Sequence, residues 1–227
     1  MATPLLSAFY FGTVDHYRLI AQHDRVLIDI GEHFERQSFR TRTSIAGPNG
    51  KQDLVVQIAR KSGEKMPMRE VGLSYTETWQ QQHLHAIRSA YGKTPWFIHY
   101  IDDIEAVLTK KHERLVDLDL ATMRLGLKWL GLVTELVVEE SYVVGAPKAV
   151  VAQLDGGMDV EPPPPPPIEL LDLRQTLHPK KPLPAAVTPV SPYPQVFAYR
   201  LGYVPGLSVI DLVMNTGPKA ASILRAG

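Results

Sequence analysis

Two periods of apolar spacing divide the first 145 residues. Leu5–Tyr10 is a short, mostly apolar run, the pattern of a buried strand. Val14–His23 has helical spacing, with Asp15 acidic in its first turn. Val26–Ile30 is again short and apolar. A strand, a helix and a strand within about 30 residues predict a βαβ unit of a parallel sheet. Phe39–Ala46 and Leu54–Ala59 flank Gly47-Pro48-Asn49-Gly50, and Asn-Gly supplies the positive φ angles of a tight hairpin turn. Val71–Ser74 predicts a further short strand.

The period then lengthens. Trp79, His83, Ile87, Ala90 and Tyr91 share a helical stripe, preceded by Ser74-x-x-Glu77 at capping-box spacing. Thr94-Pro95 predicts the cap and first position of a second helix carrying Phe97, Ile101, Ile104 and Leu108. A third helix is expected from about Asp119, with Leu120, Met123, Leu127 and Leu130 on one face and Gly131 as its stop. Thr134–Val138 returns to strand character. Near the end, Ser208-x-x-Asp211 opens a short helix that closes near Gly217-Pro218, and Lys219–Leu224 adds a last turn or two.

Proline interrupts this order. Of 19 prolines, 14 lie between Pro147 and Pro205, and Pro162–Pro167 are consecutive. Such a run favours extended polyproline II. The expected organisation is an α/β core over 1–145, a Pro-rich linker or arm over 146–191, and a C-terminal segment over 192–227 that packs back on the core. Ile168–Leu173 has the character of an apolar patch able to dock, and Pro162–Pro167 suits an aromatic groove on a protein partner.

At 227 residues and 44% apolar content the chain is long enough for a sizeable core. Its formal net charge is zero, which gives no support to a general nucleic-acid or membrane-surface role. There is no cysteine, so disulfides, thiolate metal sites and a cysteine nucleophile are excluded. No apolar run approaches the roughly 20 residues of a membrane span. With no signal-like N-terminus, a cytoplasmic location is expected.

Phe34–Ile45, read as a strand, places Arg36, Ser38, Arg40, Arg42 and Ser44 on one face. Such a row of forks suits a pyrophosphate or sugar-nucleotide; equally, it suits a solvated face paired with Asp29, Glu32 or Glu35. Glu32 and His33 follow an apolar strand, where ligands of parallel sheets bind, and a Glu/His pair there suits acid–base work; an exposed loop pair is the plainer reading. His83 lies on the stripe with Trp79 and Ile87, so a satisfied core histidine stands beside a catalytic role. Asp211 is either an acid or part of a helix cap. Trp96, Tyr100 and Trp129 are expected to fill the core. No metal-ligand spacing and no cofactor fingerprint is present, and the cofactor is left unknown.

The order YFG-x-x-x-x-Y (Tyr10 to Tyr17), GEHFERQSFRTR (Gly31 to Arg42), GPNGKQ, W-x-x-x-H, I-x-x-AY-x-x-x-P-x-F and GYVPGLSVIDLVMNTGP (Gly202 to Pro218) resembles the WbqC-like family. That family is linked to O-antigen and other surface-polysaccharide biosynthesis, and a transferase role on a sugar or nucleotide-sugar is supposed for it. The resemblance implies a ligand-binding role for Arg40 and Arg42 in the R-x-R motif, for Trp79 and Tyr91, and for Asp211 and Asn215, and it strengthens His83 as an acid–base candidate. Related sequences often read RNRC or RNRN where this one reads RTRT (Arg40–Thr43). A GADxYLSGxxG-like segment of longer members is replaced here by prolines and hydrophobics.

The expectation is therefore an α/β fold: a short, mostly parallel sheet with a β-hairpin extension, helices packed around it, and a Pro-rich extended arm before a C-terminal helix. The expected function is a transferase-like protein of surface-polysaccharide biosynthesis. It would bind a sugar-phosphate or nucleotide-sugar through Arg36, Arg40 and Arg42, with Glu32, His33 and His83 as acid–base candidates. The alternative is a non-catalytic protein-interaction module of the same fold. A nucleic-acid binder using the arginine hairpin is disfavoured by the neutral charge.

Overall fold

The computed structural model describes residues 2–59, 65–144 and 169–226. Strand β1 (Thr3–Ser7), helix α1 (Val14–Ile20) and strand β2 (Arg25–Asp29) form the βαβ unit that the spacing predicts. β1 and β2 run parallel, with Leu5 opposite Leu27 and Ser7 opposite Asp29. The Pro48-Asn49 turn joins β3 (Arg42–Gly47) to β4 (Gly50–Val55) as an antiparallel hairpin. β5 (Ile58–Ala59) pairs with β6 (Gly72–Leu73) in a second small antiparallel sheet. Three helices follow: α2 (Trp79–Tyr91), α3 (Phe97–Thr109) and α4 (Leu115–Leu130).

The chain then returns to the main sheet. β7 (Glu135–Glu139) lies parallel beside β2, and β8 (Leu170–Asp172) lies parallel beside β1. The strand order is β7-β2-β1-β8. The chain ends in α5 (Ala198–Leu201), α6 (Val209–Thr216) and α7 (Ala220–Arg225). α6 is almost wholly buried; its Ile210, Leu212, Val213 and Met214 join Ile87 and Tyr91 of α2, Ile101 and Ile104 of α3, and Met123 of α4 in one core. The fold is α/β, with a parallel sheet, antiparallel hairpins and surrounding helices. Among the described residues no helix is long and apolar enough to cross a membrane.

Several local expectations are corrected. Ser74 does not cap α2, which starts at Trp79 behind Thr78. The Ser74 N–H donates to the Gln57 carbonyl instead, so this residue still belongs to the β extension. Thr94 does not cap α3; its hydroxyl donates to the Tyr91 carbonyl at the end of α2, and α3 begins at Phe97. α4 begins at Leu115 rather than near Asp119, because Leu115, Val116 and Leu118 are already apolar and buried. Its stop is as expected: Gly131 adopts φ +56°, the left-handed region where glycine bears no Cβ penalty.

The single-face arginine row does not form. β3 begins only at Arg42, and Arg36 to Thr41 make turns. Gln37 has φ +57°, and the Ser38 hydroxyl donates to the Glu35 carbonyl at 2.7 Å, so the alternation of a strand is broken there. Leu170–Asp172, in the segment read as a docking patch within the arm, supplies a sheet strand. Residues 173–197 carry no helix or strand and are anchored by buried Leu173, Leu177, Val187, Val190 and Tyr193. Pro162–Pro167 lie outside the described residues.

Candidate functional site

The turn that leaves β1 sets the geometry of the site. Phe11 has φ +39°, a conformation that is costly for a residue with a Cβ. Three hydroxyls hold it. Thr43 donates to the Phe11 carbonyl at 2.7 Å, Ser208 donates to the same carbonyl at 2.9 Å, and the Phe11 N–H donates to Thr122 Oγ1 at 3.0 Å. Thr43 is thus a buried brace. Gly12 follows because a Cβ there would come within 2.3 Å of the Phe9 ring.

This turn delivers Thr13 and His16 to the start of α1. The His16 N–H donates to Thr13 Oγ1, and the Thr13 N–H donates to His16 Nδ1 at 3.3 Å, a capping box with histidine in the usual Glu position. Thr13 Oγ1 lies 2.8 Å from the same nitrogen. Nδ1 is therefore an acceptor, and the ring proton sits on Nε2. The ring packs between Phe9 (centroids 4.5 Å apart) and Phe39 (4.8 Å). Burial pushes its pKa down to about 3, so it is neutral near pH 7. His16 is only 3% exposed, and its Nε2 has no partner among the described residues.

His16 lines a cleft of about 270 Å³. One wall is Thr13, Asp15, Phe39 and Lys51; the other is the stretch from Leu177 to Pro189, closed by Pro205 and Gly206. The walls follow the carboxyl ends of β1 and β8, the edge at which open α/β sheets take ligands. Lys51 Nζ donates to the Gly206 carbonyl at 3.1 Å and Lys181 Nζ to the Gln175 carbonyl at 2.6 Å. Neither makes an ion pair among the described residues, so each ammonium has donors to spare. Asp15 accepts the Val190 N–H at 3.0 Å, and burial raises its carboxyl pKa against the pull of Arg18 and Lys51. His178 also faces the cleft, and burial lowers its pKa. Behind His16 and Phe39 a void of about 10 Å³ reaches Ser7, Arg40 and Arg174.

Beneath the cleft the sheet edge carries a belt of paired charge. Arg40 is 2% exposed, with Nε to Glu32 Oε1 at 2.9 Å, Nη2 to Glu32 Oε2 at 2.7 Å and Nη1 to Glu35 at 3.3 Å. Burial pushes the Glu32 carboxyl up and the Arg40 fork pulls it back. Arg174 binds Asp29 and, at 2.5 Å, Asp172, while Asp29 also accepts the N–H groups of Gly31, Glu32 and Val143. These forks are closed on carboxylates, which makes the belt a rigid floor.

The residues singled out from sequence fall into separate groups. Glu32 and Arg40 meet, as above. His33 and Arg36 are exposed, and Arg36 makes no ion pair among the described residues. Arg42 reaches Asp53 at 3.4 Å, and Ser44 reaches the same carboxylate at 2.6 Å, so these two do share a face. His83 is a buried core histidine: Tyr10 Oη lies 2.9 Å from Nδ1, and burial lowers the ring pKa to about 4 against the pull of the Val55 carbonyl. Trp79 packs edge-on against it and donates to the Ser74 carbonyl.

Asp211 is a buried hub. Tyr91 and Tyr193 donate to its two oxygens at 2.8 Å each, Gln195 at 3.1 Å and Asn215 at 3.2 Å. Tyr91, Asp211 and Asn215 thus bind one another, tying α2, α6 and the segment before α5. Sequence reading missed His16, Lys51, His178 and Lys181. The Thr13-x-x-His16 spacing was a usable signal; the lysines had none, because the arm brings them together across the cleft. Among the described residues no group of three His, Asp or Glu is placed to hold a metal ion.

Comparison with curated proteins and with solved structures gave no match. The WbqC-like protein family matches residues 8–160, about two thirds of the chain. That span takes in the braced turn after β1, the His16 capping box, the Arg40–Glu32 pair, the hairpin with Lys51, the three long helices and β7. The chain belongs to the WbqC-like protein family.

Proposed function

We propose that this chain is a transferase-like protein of surface-polysaccharide (O-antigen) biosynthesis, binding a phosphorylated or nucleotide-activated sugar in the cleft between α1, the hairpin and the arm. The observation that carries this reading is the pair of lysines, Lys51 and Lys181, neither in an ion pair among the described residues, at a concave site beyond the carboxyl ends of parallel strands. Fixed cations in a partly enclosed site assist phosphate chemistry by holding charge where it develops. Asp15 is the ionisable group best placed for proton transfer. Glu32, His33 and His83 do not line the cleft, and Arg40 serves as the floor that aligns it.

A thermal-shift panel of sugar phosphates and nucleotide-sugars tests this, with wild type beside Lys51→Ala/Lys181→Ala. A ligand at about 100 times its dissociation constant stabilises by roughly 2.7 kcal/mol. The expected result is a shift in wild type that the double variant loses while still folded. No shift with any compound withdraws the reading in favour of a non-catalytic interaction module.

A further inference from the structure

The cleft offers two different kinds of donor. Lys51 and Lys181 bring ammonium groups to its lining, whereas His16, which lines both the cleft and the small void behind it, carries a neutral Nε2–H. An imidazole whose Nδ1 accepts from Thr13 cannot offer a lone pair at Nε2; it can only donate. The Phe9 and Phe39 rings hold its plane. A neutral donor suits an uncharged acceptor such as a hydroxyl or ring oxygen, because a second full charge is not needed to satisfy it. No protein acceptor for Nε2–H is present among the described residues, so a ligand oxygen there would supply one.

Size narrows the ligand further. The cleft, at about 270 Å³, falls below the roughly 300–1,000 Å³ typical of sites for drug-sized ligands. It holds one monosaccharide with its anionic group, and a base and ribose would extend beyond its open mouth. Its walls carry Pro182, Pro184, Pro189 and Pro205, apolar ring surfaces that suit the C–H face of a pyranose.

Resting on the reading of the cleft as an anion site, we infer that its ligand is a single anionic hexose, a phosphate or a uronate, whose charged end lies on Lys51 and Lys181 and whose uncharged oxygen accepts from His16 Nε2–H. His16 is then the residue that separates a sugar anion from a bare anion.

Isothermal titration of the full chain tests this with four probes: glucose 1-phosphate, glucuronate, inorganic phosphate and UDP-glucose. The expected order places the two hexose anions tightest. His16→Phe, which keeps ring packing but removes the donor, weakens glucose 1-phosphate roughly three- to tenfold, the loss of one neutral hydrogen bond, and leaves inorganic phosphate unchanged. His16→Gln, which retains an N–H, recovers part of the loss. Nitrogen-detected imidazole spectra of wild type supply a readout that needs no variant to fold. They show the proton on Nε2, and that signal moves with glucose 1-phosphate and stays still with inorganic phosphate. Equal binding of phosphate and glucose 1-phosphate, or an unmoved His16 signal, overturns this inference and leaves the anion site standing. UDP-glucose binding in place of the hexose anions likewise overturns this inference and leaves the anion site standing. Silence from all four probes overturns both the inference and the reading beneath it.

Discussion

Asp119 sits in α4 with no exposed surface, and neither carboxyl oxygen has a hydrogen-bond partner among the described residues. Burial pushes its pKa well above the ordinary aspartate value, and the positive field of Arg40 pulls back by less. The sign of the consequence follows from linkage. A carboxyl whose folded pKa is raised holds its proton in the folded state after the unfolded chain has released it. Stability therefore falls as pH rises from about 3.9, the unfolded value, up to the folded value. Within that window one such group removes between ~1 and 2 kcal/mol per pH unit. Asp15, Glu32 and Asp211 are also shifted upward and act in the same direction, so the wild-type slope alone does not isolate Asp119. The slope difference between wild type and Asp119→Asn does. Urea denaturation at pH 4.5, 5.0 and 5.5 measures it. The variant is expected to lose stability more slowly with pH, by between ~1 and 2 kcal/mol per unit, whatever its absolute stability at the starting pH. Parallel slopes would refute the reasoning, because they would mean that the folded carboxyl ionises as easily as the unfolded one.

Three further outcomes follow from the packing. Arg40→Met strands the buried Glu32 carboxylate and lowers stability by about 3–5 kcal/mol at pH 7, whereas Arg40→Met/Glu32→Met recovers most of the loss in denaturant titrations. Recovery of nothing would show that the pair is not the relevant unit. Thr43→Val removes one brace from the strained Phe11 turn and destabilises by about 1–3 kcal/mol; an unchanged denaturation midpoint would contradict the bracing role. Tyr193→Phe takes one donor from Asp211 and speeds amide exchange over residues 190–204, measured by mass spectrometry; unaltered exchange would count against the hub as the anchor of that segment.

The legible parts of the fold were those written in local spacing. The first strand, helix and strand, the hairpin and the Gly131 stop each rest on neighbours within a few residues, although the hairpin turns at Pro48-Asn49 and only Gly50 takes the positive φ expected of Asn-Gly. The arginine row failed because a period of two says nothing about a turn, and Gln37 and Ser38 make one. β8 was hard to read because three residues beside a run of prolines carry little periodicity; its strand exists only through pairing with β1. The site was less legible than the fold. His16 and Lys181 are far apart in sequence, and only the return of the chain along β8 puts them on one cleft. Tyr91 and Asp211, separated by 120 residues, were each visible in local spacing, yet what links them is a hydrogen bond that no spacing shows.

Synthesis of the chain meets an unusual delay at β8. β2 follows β1 closely in the chain, but the other edge of β1 pairs with β8, which emerges much later; the contact between Ser7 and Arg174 there spans 167 residues. At ~5–20 residues per second, that edge waits on the order of ten to thirty seconds on the ribosome. An open strand edge is a template for pairing with other chains. A nascent form of this protein is therefore most exposed to aggregation in that interval, and agents that cover the β1 edge would raise its yield during expression more than agents that stabilise the finished fold.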